Sequence, residues 1–317
     1  MLPTFLENLD VGSIHVYSPR STIFVCGGKQ SEAADSPPSS IRDALLRAGT
    51  LSRITKSKVF IVEAIQRQFL NEHVYGDFYE FENDIAQICD LVFLISESPG
   101  SFTELGSFTR DEEVANKLFT VIRQKHFDEE SYISVGPIRY LDNKHNGSVF
   151  VIPDDDYRIR DGDYSDIDHD LLSGRLRVPV SERMERAREH TQFNQGRNGH
   201  LCKLLTALVQ EFGALEMNEL VAVLEALQVP NPQVLAPRLI FCAKTVEWVR
   251  TDRRGLRTFI LPSATNRSAK FQFAEGPISN SPERRRVGLR EYWRATDEER
   301  YAAILAGGMA PEAAARS

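Results

Sequence analysis

One carboxylate in this chain of 317 residues stands in a setting that suits chemistry. In Ser96-Glu-Ser-Pro-Gly-Ser-Phe-Thr-Glu-Leu-Gly-Ser-Phe108, Glu104 follows a loop of small and hydroxyl-bearing residues: Ser98, Gly100, Ser101 and Thr103. Such a loop suits a sugar or a phosphate, because glycine lets the backbone approach a ligand and hydroxyls and amides bond its oxygens. A fixed negative charge near an anomeric carbon stabilises the oxocarbenium-like state reached as a base departs. The chemistry would be attack on, or stabilisation of, that ribose carbon. A structural reading stays open beside it. Ser101-Phe-Thr-Glu104 fits the capping box, in which the glutamate only bonds back to the N-cap amide.

The elements that must position Glu104 are legible on either side. Asp90-Leu-Val-Phe-Leu-Ile95 is an apolar run that predicts a strand, and Phe102, Leu105 and Phe108 keep the spacing of one helical face. Strand, tight polar loop and helix, with Ser101 at the N-cap, put Glu104 on the first helical turn beside the C-terminal edge of a sheet. In open α/β sheets small molecules bind at that edge. Asp90, with Glu82 or Asn83 on the preceding helix, could hold sugar hydroxyls, although each also suits a structural role. Cys26, Gly27 and Gly28 end an earlier strand, and the Gly-Gly pair reads equally as a phosphate loop or a tight turn.

Strands are expected at residues 22–26, 58–62, 91–95, 118–122 and 148–152, with the second reading as buried on both faces. Helices are expected at 41–49 and 78–89. The alternation predicts an α/β fold: a flavodoxin-like parallel sheet in the order 2-1-3-4-5, in three layers. Residues 1–21 form a lead-in, 22–152 the catalytic domain, and 153–180 an acidic linker holding eight aspartates between 154 and 170. Those aspartates lack the glycine spacing of a calcium loop, and no metal site is expected.

From residue 181 the pattern turns helical. Helices at 181–192, 200–212, 216–227 and 231–243, then strands at 246–250 and 256–261, give a winged-helix layout over 181–262. Its candidate nucleic-acid contacts are Arg238 on the third helix and Arg250, Arg253, Arg254 and Arg257 around the hairpin tip. A protein-docking role for the same module stays open. The tail, 263–317, carries Arg284-Arg-Arg286 and a helix from 289 to 305 that could bury Tyr292, Trp293, Ala295, Ala303 and Ile304 on a partner or a second subunit; residues 306–317 are expected to fray.

Charge divides with this layout. Residues 1–180 hold 18 Lys/Arg against 29 Asp/Glu, a net of −11; residues 181–317 hold 20 against 16, a net of +4. The C-terminal part is the better candidate for meeting nucleic acid. Cys26, Cys89, Cys202 and Cys242 show neither C-x-x-C pairing nor histidines at metal-ligand spacing, so they read as buried thiols of a reducing cytosol. No apolar run reaches a membrane span of roughly 18 residues, and no secretory signal is visible, so the expected location is the cytoplasm without membrane contact.

The motif of Asp90-Leu-Val-Phe-Leu-Ile95 with Ser98-Pro-Gly-Ser-Phe-Thr-Glu-Leu-Gly106 resembles the signature of nucleoside deoxyribosyltransferase-like proteins. With Gly136-Pro-Ile-Arg139 downstream, the longer match resembles the anti-phage effectors of bacterial retrons that join such a domain to a C-terminal winged helix. That resemblance implies a toxin held in check by a reverse transcriptase and multicopy single-stranded DNA, a DNA/RNA hybrid, and acting as a homo-oligomer or filament. It implies cleavage of an N-glycosidic bond, with NAD+ as substrate and no further cofactor. Carried over, Glu104 is the nucleophile or charge stabiliser, and Ser98, Gly100, Ser101 and Thr103 hold ribose or phosphate. Cys26, Gly27 and Gly28 form the neighbouring loop, with cysteine where the transferases often have tyrosine. Nicotinamide leaves as a neutral base without a general acid, whereas adenine or a pyrimidine needs protonation; none of the seven histidines lies near the motif in sequence. The alternatives are a nucleoside or nucleotide N-glycosidase or deoxyribosyltransferase, and a non-enzymatic nucleotide-sensing DNA-binding regulator. A cytokinin-type phosphoribohydrolase, whose loop carries two glycines missing here, ranks last.

Overall fold

The computed structural model describes residues 1–31, 33, 35–55, 57–61, 69, 74–187, 192–273 and 278–307. Two compact units emerge: residues 21–190, and residues 1–20 together with 191–317.

The first unit is a five-stranded parallel sheet. Its strands are β1 (Thr22–Cys26), β2 (Lys58–Ile61), β3 (Leu91–Ser96), β4 (Leu118–Arg123) and β5 (Val149–Ile152), in the expected order 2-1-3-4-5. β1, β3 and β4 are buried at every residue, as their unbroken apolar runs require. β2 is not buried on both faces as expected: it is an edge strand, and of its four residues only Phe60 is fully buried. Residue 62 lies outside the described residues. One face of the sheet packs Ile23, Val25, Phe93, Ile95 and Val121 against two helices, α1 (Ile41–Arg47) and α2 (Thr50–Thr55). α1 is the helix expected over 41–49, ending before Gly49 at φ +61°, and α2 is an additional helix beyond it. The opposite face receives α3 (Phe78–Ile88) and α4 (Pro99–Phe108), where Phe24 meets Phe108 edge-on at 6.4 Å.

Residues 153–180 are not a linker. Tyr157, Ile159 and Ile167 enter the sheet's core, and a helix of 19 residues, α5 (His169–Ala187), adds Leu172, Leu176, Val180 and Met184. The aspartates hid this because apolar residues were spaced among them. Asp154 and Asp161 are also spent, on the buried Arg123 guanidinium at 2.5 Å each. Burial opposes the charge of Arg123, and the bonds from Asp154 and Asp161 outweigh it and raise its pKa. Arg183 anchors α5 at the other end of β4 by donating to Leu118 O and Ala115 O, at 3.1 and 2.5 Å. Burial, then the nearby Arg186, lowers its pKa to about 10. The helix expected over 181–192 is thus the end of α5, with residues 188–191 outside those described.

The C-terminal edge of the sheet is held by Glu97, the first residue after β3. Its Oε1 accepts the backbone N–H of Gly28 and of Arg42, both at 3.0 Å, and its Oε2 that of Ile41 at 2.7 Å. One carboxylate therefore ties the turn after β1, the exit of β3 and the first turn of α1. The fit is close enough to require glycine: a Cβ on Gly28 would lie 2.6 Å from Ser40 Cβ and 2.9 Å from Glu97 Oε1. Burial pushes the Glu97 carboxyl up, and the three N–H bonds act against that rise.

In the second unit, α6 (Asn198–Phe212), α7 (Met217–Ala226) and α8 (Pro232–Thr245) are followed by an antiparallel hairpin of β6 (Val249–Arg254) and β7 (Arg257–Pro262). Gly255 turns the hairpin with φ +54°, where an L-residue is disfavoured. The lead-in belongs to this unit, since His15–Val16 pairs with Ala269–Lys270. So does the tail. The helix expected over 289–305 is two helices, α9 (Pro282–Thr296) and α10 (Glu298–Ala306), divided at Asp297, whose side chain caps α10. Trp293, Ala303 and Ile304 are buried within the unit, leaving Tyr292 and Ala295 exposed. Trp293 Nε1 donates to Phe212 O at 3.0 Å. Residues 308–317 lie outside the described residues. Asp297 also accepts Arg257 at 2.7 Å and Arg300 at 3.1 Å.

Three substitutions test these anchors. Glu97→Ala strands three backbone N–H groups and should lower stability by roughly 2–3 kcal/mol in chemical denaturation, and Gly28→Ala should destabilise through its clash. For Asp297, the bonds from Arg257 lead in bringing its pKa from 3.8 to about 2. Its folded value lies below its unfolded one, so its contribution is complete above about pH 4 and lost as pH falls toward about 2. Asp297→Asn, which still caps a helix, should therefore lower the melting temperature at pH 7 and narrow the gap to wild type as pH approaches 2.

Candidate functional site

The hydroxyl-rich loop closes more tightly than its sequence suggested. α4 begins at Pro99 with Ser98 as its N-cap, so the capping box is Ser98 and Ser101, not Ser101 and Glu104. Ser98 Oγ accepts Ser101 N–H at 3.2 Å, and Ser101 Oγ accepts Ser98 N–H at 2.9 Å. The physical reason is proline, whose fixed φ and missing N–H favour the first helical position behind a serine cap. Glu104 consequently moves to the second turn of α4. It is half-buried there, and the capping role that would have made it purely structural belongs to Ser101.

The same geometry commits the hydroxyls offered as sugar contacts. Ser101 is buried and bonded to Ser98 and Glu97 N–H, and Thr103 Oγ1 donates to Pro99 O at 3.0 Å. Gly100 is exposed, and a Cβ there would meet nothing closer than Ser98 Oγ at 4.0 Å. At this edge Gly100 offers open backbone beside the exposed Thr103 and the half-buried Ser98.

Cys26, Gly27 and Gly28 come to the same edge, since Cys26 pairs with Leu94 in the parallel register. Cys26 is 1% exposed, which places its thiol in the core and not before a ligand. Gly27 and Gly28 face Arg42 and Glu97. Two other residues stand elsewhere. Asp90 lies at the entry of β3, on the opposite edge, where its buried carboxylate accepts Thr22 N–H at 3.2 Å. Asn83 donates to Asp111 at 3.2 Å, beside Gln87 doing the same at 2.8 Å, and so holds the approach to β4. Glu82 is half-buried on α3. The structure thus gathers residues 26–28 with 98–104 and leaves Asp90 and Asn83 out.

Two residues at this edge escaped the sequence. Glu97 sits inside the motif, yet a glutamate after an apolar strand carries no mark of the three amides it will meet. His126 is the other. The short helix Gln124–Asp128 follows β4 at the same edge and sets the imidazole edge-on to Phe102 of α4, centroids 5.6 Å apart. Glu129 lies 3.6 Å from its Nδ1. Twenty-four residues separate the ring from Phe102 in sequence, and only the crossover between β3 and β4 joins them. Among the described residues no group of acidic, histidine or cysteine side chains is placed to hold a metal, no helix is long and apolar enough to cross a membrane, and all four cysteines are buried and unpaired with one another.

The arginines expected to meet nucleic acid are partly committed. Arg257 bonds Glu216 at 2.5 Å and Asp297 at 2.7 Å, with Glu299 at 3.5 Å, which raises its pKa, the Asp297 bonds leading. Arg254 pairs with Asp252 at 2.9 Å, and Arg253 donates to Gly255 O at 3.4 Å. Arg257 is therefore an internal tie of hairpin to helices, a correction to its expected role. Arg238 and Arg250 are half-buried, and Arg253 is exposed.

Comparison with known proteins gives two related chains from Escherichia coli. One, named "Retron Ec86 putative ribosyltransferase/DNA-binding protein", is 32% identical over 128 residues, 40% of this chain and 39% of the relative. The other, named "Retron Ec73 putative ribosyltransferase/DNA-binding protein", is 23% identical over 215 residues, 64% of this chain and 65% of the relative. The matched region thus spans less than two thirds of either relative's length. The profile of the STM3845 retron effector protein family matches residues 38–251, more than half of the chain, and takes in Glu104 and the helices up to the start of β6. On that match, the chain belongs to the STM3845 retron effector family.

Proposed function

We propose that this retron effector cleaves the N-glycosidic bond of NAD+, with Glu104 acting on the ribose carbon. The observation that carries the reading is the Ser98–Ser101 capping box, which leaves the glutamate of the motif with no part in starting its helix. Glu104 stands on α4 at the edge where parallel sheets bind small molecules. The words "ribosyltransferase" and "DNA-binding" in the names of both relatives support the same division of labour. In this reading the sheet unit has the nucleoside deoxyribosyltransferase-like fold, and α6 to β7 form the winged helix.

In the reaction the bond between C1′ and the nicotinamide nitrogen breaks, and its electron pair neutralises the cationic ring. Glu104 either forms a bond to C1′, later broken by water, or stabilises the oxocarbenium charge while water adds directly. Both routes yield nicotinamide, ADP-ribose and a proton. Gly100 lets the sugar approach the helix backbone. Reverse transcriptase and multicopy single-stranded DNA would restrain the activity, and a homo-oligomer or filament would be the released form.

His126 favours a second reading. A protonated imidazole at this edge would assist departure of a purine, as a nucleoside or nucleotide N-glycosidase or a deoxyribosyltransferase needs. Chromatography of NAD+ and nucleosides incubated with the purified chain separates the two. Wild type should release nicotinamide. Glu104→Gln should lower the rate on the order of 10²–10³-fold with an unchanged melting temperature. Persisting turnover in that variant would remove Glu104 from the reaction. Release of adenine from nucleosides, lost in His126→Ala, would replace NAD+ by the second class. Binding without turnover of any of these would leave a nucleotide sensor. Gly100→Ala, which clashes with nothing in the free protein, should raise KM while leaving stability unchanged.

A further inference from the structure

Within the C-terminal unit a cavity of about 360 Å³ opens between α6, the strand Ala269–Lys270 with Phe271, and the start of α9. Its polar groups are mostly spent. Gln210 is held by Ala264 O, Asn266 O and Ser268 N–H, and Asn280 by the backbone of Phe273. Glu211 and Arg285, each 5% exposed, neutralise one another at 2.6 Å. What remains is positive. Lys270 is exposed and meets no carboxylate among the described residues. Arg286 lines the cavity, and its buried Nε finds no acceptor among the described residues. Arg267 stands at the rim, its one carboxylate being the exposed Glu283.

We propose that this cavity, and not the hairpin tip, seats the phosphate backbone of a nucleic acid. The inference rests on the DNA-binding part of the function proposed above and deepens it. With Gln210 and Asn280 committed, no side-chain amide is left to read a base, so the site recognises charge and not sequence. The charge also continues beyond the cavity. The exposed Arg294 follows Arg286 two turns on, on the same side of α9, a track of about 12 Å. A free nucleotide would need only the cavity, whereas a strand uses the track. The hairpin, by contrast, has Arg257 neutralised by Glu216 and Asp297 and Arg254 paired with Asp252.

The test is fluorescence anisotropy of the full chain with a labelled mixed-sequence DNA oligonucleotide, titrated at several salt concentrations. Lys270→Gln with Arg286→Gln should weaken binding at least tenfold at moderate salt. The slope of log affinity against log salt should flatten by about 1.4–1.8, for two lost phosphate contacts. Arg253→Gln with Arg254→Gln should change affinity less than twofold. Melting temperatures check folding, and Lys270→Gln alone, on an exposed side chain, should flatten the slope by about half as much. Loss of binding in the hairpin pair and not the cavity pair overturns this inference and leaves DNA binding standing. Displacement of the oligonucleotide by equimolar deoxyadenosine monophosphate also overturns it, by making the cavity a nucleotide pocket. If wild type binds no oligonucleotide at low salt, the DNA-binding reading fails as well.

Discussion

Three backbone amides converging on one carboxylate organise the sheet edge. Doubly wound folds bring a glycine turn and a helix N-terminus to the same place, and in many of them an external anion collects those N–H groups. Here Glu97 supplies the anion from within, by way of Gly28, Ile41 and Arg42. The arrangement fixes where β1 and β3 end and where α1 starts, and thereby where α4 must begin. It also occupies the amides that would otherwise be open to an outside anion. The charge is held against its own desolvation, which is affordable only because each oxygen is bonded.

The order of the sheet was legible because unbroken apolar runs in β1, β3 and β4 require burial on both faces, and right-handed crossovers leave few layouts. The edge strand β2 misled for the same reason: an apolar run does not say whether a further strand follows. The acidic stretch misled through composition. Tyr157, Ile159 and Ile167 carry its structural meaning, and they are diluted by aspartates that solvate or pair with Arg123. At the candidate site, the motif singled out Glu104, while its neighbourhood was not legible. A capping pattern read three residues late changes which side chains are spent, and contacts such as Phe102 with His126 exist only after β4 is laid beside β3.

Arginine is used in the second unit largely to hold helices, not to reach outward. Arg300, 3% exposed, joins Asp297 and Glu219 and lies 4.1 Å over the Trp293 ring, while Arg257 covers Phe259 at 4.6 Å. Planar guanidinium groups suit both tasks at once, pairing at their edges and stacking on their faces. A count of basic residues therefore overstates the charge available to a polyanion. The distinction is one of partners, which a linear sequence does not list.

The pairing of His15–Val16 with Ala269–Lys270 carries a consequence for how the chain matures. The first strand of the second unit leaves the ribosome long before its mate, and the entire sheet unit is made in between. That inner unit is contiguous and can close during synthesis, whereas the outer one must wait for residues 269–270. Any break in translation or any proteolytic nick before residue 269 would yield a finished sheet with an orphaned leading segment. The half completed first would then be the one that carries Glu104.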